Sequence, residues 1–247
     1  MALKTVLRYS PNFNSNKRIP KQIKFIIFHY TGMKSESAAI NKLTDIKSEV
    51  SSHYLIKNNG EIVKMVPDLY IAWHAGESLW KNYKSLNPNS IGIEITNPGH
   101  EHGYKKFSQK QIISLLKLSR FLIKKYKINP KNILGHSDIA VLRKKDPGEK
   151  FPWEYLSKNR IGLWHKLSKQ DLIKNRKLKI SKIEEDIFLK NLFKIGYSKK
   201  YTKDISKNKY LRELAKTFQR RFRQELVDGK IDQECLLISK SLIKIYN

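Results

Sequence analysis

The sequence predicts an α/β fold, with a mixed β-sheet flanked by helices, followed by a small all-α unit of three helices. Three observations carry this expectation. Residues 23–28 (IKFIIF) and 91–96 (IGIEIT) are short apolar runs rich in β-formers, of strand length rather than helix length. Helix-period segments stand between such runs, which argues for strands and helices interleaved around one sheet. Beyond residue 180 only helix-period segments follow.

The elements can be justified in order. The run 23–28 ends in His29-Tyr30-Thr31-Gly32, so His29 lies at the C-terminal end of a buried strand. Ala38, Ala39, Ile40, Leu43 and Ile46 then share one helix face. Residues 53–57 and 61–66 flank Asn58-Asn59-Gly60, a hairpin signal because Asn-Gly readily takes positive φ. Residues 67–90 lack periodicity and carry Trp73, His74, Gly76, Trp80 and Pro88, so they read as a long structured loop of the kind that is often functional. In 91–96 the alternation places Glu94 on the face opposite Ile93 and Ile95.

Ser108 and Gln111 form a capping-box pattern before a strong helix running from Ile112 to Tyr126, which Asn129-Pro130 ends. A short strand at 132–134 delivers Gly135-His136, and 153–164 reads as helical. The stretch from Lys166 to Lys179 is basic and less regular. Helices are expected at 183–195, 210–223 and 233–245, with Gly196 as a stop and Asp228-Gly229 as a turn. The expected organisation is a first domain over 1–166, a basic linker over 167–179 and a three-helix domain over 180–247.

Composition bounds the function classes. Hydrophobic residues make up 40% of the 247, which is enough for a core and too many for a disordered chain. A single cysteine, Cys235, rules out an internal disulfide framework and a cysteine metal site. No stretch approaches the ~20 apolar residues of a membrane span. No secretory signal is visible, so a cytoplasmic location is expected, with the periplasm or cell envelope as the alternative. The net charge of +28 predicts attraction to polyanions. It is spread along the chain rather than held in one tail. No helix-turn-helix, zinc-finger or RNA-binding signature accompanies it, and a nucleic-acid partner is not expected.

Of the seven histidines, His29 and His136 follow apolar strand-like runs directly, where a rigid sheet presents side chains to a site. Asp146 lies in a turn-rich loop (KKDPG). Two imidazoles and one carboxylate are a common zinc hydrolase set, with a fourth position left for water. Such a set suits zinc better than calcium or magnesium.

The segments FHYTG, SSHYLI, AWHAG, NSIGIEI and GHSDIA…RKKDPGEKFPW, in this order, resemble the type 2 zinc N-acetylmuramoyl-L-alanine amidases, a family that includes the peptidoglycan-recognition proteins. The resemblance covers about residues 20–165. It implies hydrolysis of the amide between N-acetylmuramic acid and L-alanine of the stem peptide, with one zinc ion per chain. His29, His136 and Asp146 match the family's metal ligands, Glu94 matches the proposed general base, and Lys144 matches the lysine that stabilises the oxyanion. Ser52 stands where some branches carry a catalytic tyrosine, which leaves Glu94 as the better base. Tyr30, Trp73, His74 and Arg143 are expected to touch substrate. His53 is expected to be structural, and His100, His102 and His165 have no motif support.

The segment TFQRRFRQELVDGKIDQECLLI resembles the second half of a three-helix peptidoglycan-binding module, with Phe218, Gln219, Val227, Asp228 and Gly229 at the matching positions. The expected partners are therefore peptidoglycan or soluble muropeptides, including 1,6-anhydro-muropeptides. A non-catalytic peptidoglycan sensor is the alternative. Retention of all five metal and catalytic positions argues against it.

Overall fold

A computed structural model describes residues 3–199 and 205–246; Met1, Ala2, residues 200–204 and Asn247 lie outside the description. The strands are β1 (Val6–Leu7), β2 (Phe13–Asn14), β3 (Phe25–Tyr30), β4 (Tyr54–Ile56), β5 (Ile62–Lys64), β6 (Ile71–Ala72), β7 (Leu79–Trp80), β8 (Tyr83–Lys84), β9 (Ser90–Ile95) and β10 (Ile133–Gly135). The helices are α1 (Glu36–Thr44), α2 (Gln109–Tyr126), α3 (His136–Ile139), α4 (Trp153–Lys158), α5 (Lys169–Asn175), α6 (Lys182–Ile195), α7 (Lys207–Phe222) and α8 (Gln233–Tyr246).

The main sheet has the order β1-β5-β4-β9-β3-β10. Among the described residues of this sheet, only β4 and β5 pair antiparallel, across the Asn58-Asn59-Gly60 turn where Gly60 has φ +85°. The expected mixed sheet is therefore present. β3 is central and buried on both faces, which is why its sequence is a continuous apolar run rather than an alternating one. Register splits its residues between the faces. Ile26 and Phe28 pair with Ile91 and Ile93 of β9, and on this side α2 packs with Leu115, Leu118 and Leu122. Phe25, Ile27 and His29 face the other side, opposite Ser90, Gly92 and Glu94.

The capping box of α2 forms as its sequence suggests, with Ser108 Oγ accepting from Gln111 N at 3.2 Å and Gln111 Oε1 accepting from Ser108 N at 2.9 Å. Helix α4 stops at Lys158, short of the expected 164, because Arg160 turns to φ +62° and breaks the helical path.

The expected linker is a correction. Residues 167–179 carry α5, whose Leu172 is buried. Helices α6, α7 and α8 do not stand apart from the sheet. Phe188, Leu192, Phe218, Phe222, Leu236 and Leu242 share one core cluster with Phe25, Ile27 and Leu134 of the sheet. The Phe218-Gln219 pair and the Asp228-Gly229 turn also meet. Gln219 Oε1 accepts from Asp228 N (3.0 Å) and Gly229 N (2.8 Å), while its Nε2 donates to Lys230 O (2.8 Å). These motif residues hold the turn between α7 and α8 together.

Candidate metal centre and active site

Three chain segments converge at the C-terminal ends of the parallel strands. His29 is the fifth residue of β3, and His136 follows β10 directly as the first residue of α3. The loop after α3 folds back so that Ser137 N donates to Asp146 O at 2.8 Å, which brings the Asp146 carboxylate over the histidines. Asp146 Oδ2 lies 3.0 Å from His29 Nδ1 and 3.1 Å from His136 Nδ1, and the two Nδ1 atoms are 3.0 Å apart. All three groups are buried, with ligand atoms within 4.8 Å of one another.

The donor chemistry fits a zinc ion. Two imidazole nitrogens and one carboxylate oxygen converge, and other coordination positions are left open. His136 Nε2 lies 3.1 Å from Ala75 O, which can only accept, so the tautomer with Nε2–H keeps its Nδ1 lone pair for the site. Burial, reinforced by the neighbouring His136, lowers His29 to a pKa of about 4. Burial would raise Asp146, but the two histidines outweigh it and hold the carboxyl well below the usual range. A neutral imidazole at His29 and an ionised carboxylate at Asp146 are the protonation states a cation needs there.

Glu94 sits beside this cluster as the register partner of His29. Burial, and then the charge of Asp146, push its pKa up to about 8, opposed by Lys144 and Lys42. Its Oε2 is buried and has no hydrogen-bond partner among the described residues. A carboxyl group on the wall of a cleft whose pKa is raised toward the neutral range is placed to take up and give back a proton.

The cleft has a volume of about 370 Å³ and is lined by His29, Tyr30, Glu94, His136, Lys144 and Asp146, with Lys42, Arg143 and Lys145 also on its wall. None of the described residues 3–20 lines it. Trp73 is 36% exposed at its edge. Tyr30 reaches His100 Nδ1 through its hydroxyl at 2.9 Å. Arg143 Nη2 donates to Ala75 O (2.8 Å) and Glu77 O (2.7 Å), so part of its guanidinium serves the loop. His74 is buried against His29, with ring nitrogens 3.1 Å from His29 Nε2 and 3.1 Å from Ser90 Oγ. Both nitrogens are thus engaged inside the protein.

His53 is buried away from the cleft, accepting from Gly92 N at Nδ1 (3.0 Å). Ser52 Oγ donates to Tyr54 O (2.9 Å) and does not line the cleft, whereas its neighbour Ser51 does. Motif reasoning passed over His100, which lines the cleft and bridges Tyr30 to Glu149 Oε2 at 3.0 Å. The available signal was its place in the turn that follows the strand bearing Glu94.

Comparison with known proteins agrees with this geometry. Residues 19–149 match the family described as N-acetylmuramoyl-L-alanine amidase. The chain is 34% identical over 237 residues to the N-acetylmuramoyl-L-alanine amidase AmiD of Escherichia coli, covering 91% of this chain and 84% of that protein. It is 32% identical over 167 residues to the 1,6-anhydro-N-acetylmuramyl-L-alanine amidase AmpD of Haemophilus influenzae, covering 60% of this chain and 88% of that one. The structure of AmpDh3 from Pseudomonas aeruginosa in complex with an anhydromuramic pentapeptide superposes with a TM-score of 0.79 at 30% identity, covering 96% and 97% of the two chains. With its converging histidines and aspartate at the strand ends, this chain belongs to the N-acetylmuramoyl-L-alanine amidase family.

Proposed function

We propose that this protein hydrolyses the amide between N-acetylmuramic acid, including its 1,6-anhydro form, and the L-alanine of the stem peptide, with one zinc ion held by His29, His136 and Asp146. The observation that carries this reading is the placement of Glu94, in register with His29, next to the buried His29–His136–Asp146 cluster in one cleft. Zinc, when bound, polarises the scissile carbonyl and lowers the pKa of water toward neutrality. Glu94 takes the proton of the attacking water and passes it to the leaving nitrogen of L-alanine. Lys144 supplies positive charge where the carbonyl oxygen becomes negative. Tyr30, Trp73 and Arg143 line the approach and contact the muramyl group and the stem. His74 also borders the cleft and is held against His29.

The basic side chains of the cleft wall favour a substrate whose stem carries free carboxylates. The helical region 180–247 gives a second contact with wall polymer. Its resemblance to a peptidoglycan-binding module and the positive charge of the chain support that role, and binding of the full chain to sacculi should weaken as salt rises. Among the described residues no helix is long and apolar enough to cross a membrane.

Mass spectrometry of 1,6-anhydro-muropeptide and of intact sacculi, each incubated with the protein, tests the reading. Release of free stem peptide from the muramyl group is expected. Preference for the soluble muropeptide would fit cytoplasmic recycling, and release from sacculi would fit the periplasm or cell envelope. No release from either substrate would move the protein to the sensor class.

A further inference from the structure

The dipeptide His74-Ala75 touches both histidines of the centre. Ala75 O accepts from His136 Nε2 at 3.1 Å. The His74 ring reaches His29 Nε2 through Nδ1, also at 3.1 Å. The polarity of this second contact follows from the groups behind it. Ser90 Oγ donates its single proton to Leu86 O at 2.7 Å, so toward His74 it can only accept. His74 Nε2 must then carry the proton that fills the 3.1 Å contact with Ser90 Oγ. In a neutral ring, Nδ1 of His74 is left as an acceptor, and His29 must donate from Nε2. The lone pair of His29 Nδ1 therefore points at Asp146 and His136, where a cation would sit.

The dipeptide is itself fixed. Asn87 Oδ1 accepts from His74 N (3.2 Å) and Ala75 N (2.8 Å), holding both backbone amides with one side chain. The His74 ring packs against β9 at position 92, where there is no side chain. A Cβ there would fall 2.4 Å from His74 Cγ. Ser90, Gly92 and Glu94 share one face of β9, so a single strand supplies the acceptor, the space and the cleft-lining acid.

We infer that Asn87, His74 and Ala75 form a template that sets the tautomer and direction of both histidine ligands, making Asn87 and His74 positioning residues for the metal. This rests on the zinc reading above. Partners in this outer layer typically tune metal affinity about 10- to 100-fold.

Two measurements test it. Histidine-side-chain ¹⁵N NMR of the metal-free parent near pH 7.5 should show His29, His74 and His136 all as Nε2–H tautomers. His29 and His74 as Nδ1–H tautomers would overturn the inference without any variant. Chelator competition should then show zinc binding weakened about 10- to 100-fold in His74→Leu and Asn87→Ala. His74→Gln, whose amide oxygen can still accept from His29, should recover most of the loss. In the NMR spectrum, His74→Leu should disturb His29 alone, and Asn87→Ala should disturb both ligands. Parent-like zinc affinity in His74→Leu and Asn87→Ala, with loss in His29→Ala, would overturn the template and leave the metal site standing. Retention of zinc by His29→Ala would remove both.

Discussion

His29 of β3 and Glu94 of β9 are register partners on adjacent parallel strands. Their side chains therefore leave the same face of the sheet at the same height. The pairing places an acid beside the imidazole proposed as a metal ligand, with no contribution from a flexible loop. Strand pairing alone sets the separation, so the acid and the imidazole keep their relation as long as the sheet is formed.

Glu94 is assigned the proton transfer, which is typically worth about 10²- to 10⁴-fold in rate. Glu94→Gln should retain zinc at the parent's stoichiometry and lose turnover by that order, measured as stem-peptide release under saturating substrate. Parent-like turnover would remove Glu94 from the reaction.

Asp146 is assigned to the metal. Asp146→Ala should lose zinc and activity together, as read by metal analysis after dialysis alongside the hydrolysis assay. Lys144→Ala should keep zinc and lose about 10²-fold in kcat, the order seen when one oxyanion-stabilising group is removed. Unchanged kcat would show that the lysine is only a surface charge.

His29 and His136 were legible in the sequence because each directly follows a short apolar strand run, whereas Asp146, Glu94 and Lys144 were picked out by the family's motifs. The five buried residues of β3 announce a central strand, and such a strand must present His29 at its C-terminal end. The positioning role inferred for His74 was not legible. The loop 67–90 has no periodicity, and its path depends on long-range bonds to Asn87 and Ser90 that no local pattern encodes. The same reason hid α5. Its seven residues have weak amphipathicity, and burial of Leu172 against distant helices decides its place.

The helical region should not behave as a detachable module. Asp138, two residues after His136, accepts from Arg221 of α7, from Tyr197 Oη at 2.8 Å and from Gly135 N at 2.8 Å. Arg221 also donates to Ile133 O at 2.9 Å and lies 4.4 Å over the Trp153 ring. Arg221→Met leaves a buried carboxylate without its counter-charge and should cost about 3–5 kcal/mol in unfolding experiments. Removal of 180–247 uncovers Phe25, Ile27 and Leu134. At about 1.5–3 kcal/mol per large buried side chain, losing a handful of such contacts rivals the ~5–15 kcal/mol of a typical fold. The truncated chain should be insoluble or unfolded by circular dichroism. A cooperative melt near the parent's would contradict the shared core.

Acid stability should depend on Asp68. Burial opposes its ionisation, but hydrogen bonds from Lys125, Tyr126 and Tyr54, with the nearby charge of Lys64, bring its pKa down to about 2. Arg18 adds contacts to its backbone oxygen at 2.8 and 3.1 Å. The folded value lies below the unfolded one of ~4, so the stabilisation is full above pH ~4 and is lost as pH falls toward 2. Thermal melts should show Asp68→Asn less stable than the parent near neutrality, with the difference closing between about pH 4 and 2. A difference independent of pH would show that Asp68 contributes packing rather than charge.

The central claim is that this chain is a metal-dependent amidase whose metal is held by His29, His136 and Asp146. It is tested most directly by titrating zinc into the metal-free protein while following stem-peptide release from 1,6-anhydro-muropeptide. Release should rise in proportion to added zinc and level off at one equivalent per chain, with Asp146→Ala flat throughout. Full activity without zinc, or an Asp146→Ala titration matching the parent's, would contradict the account.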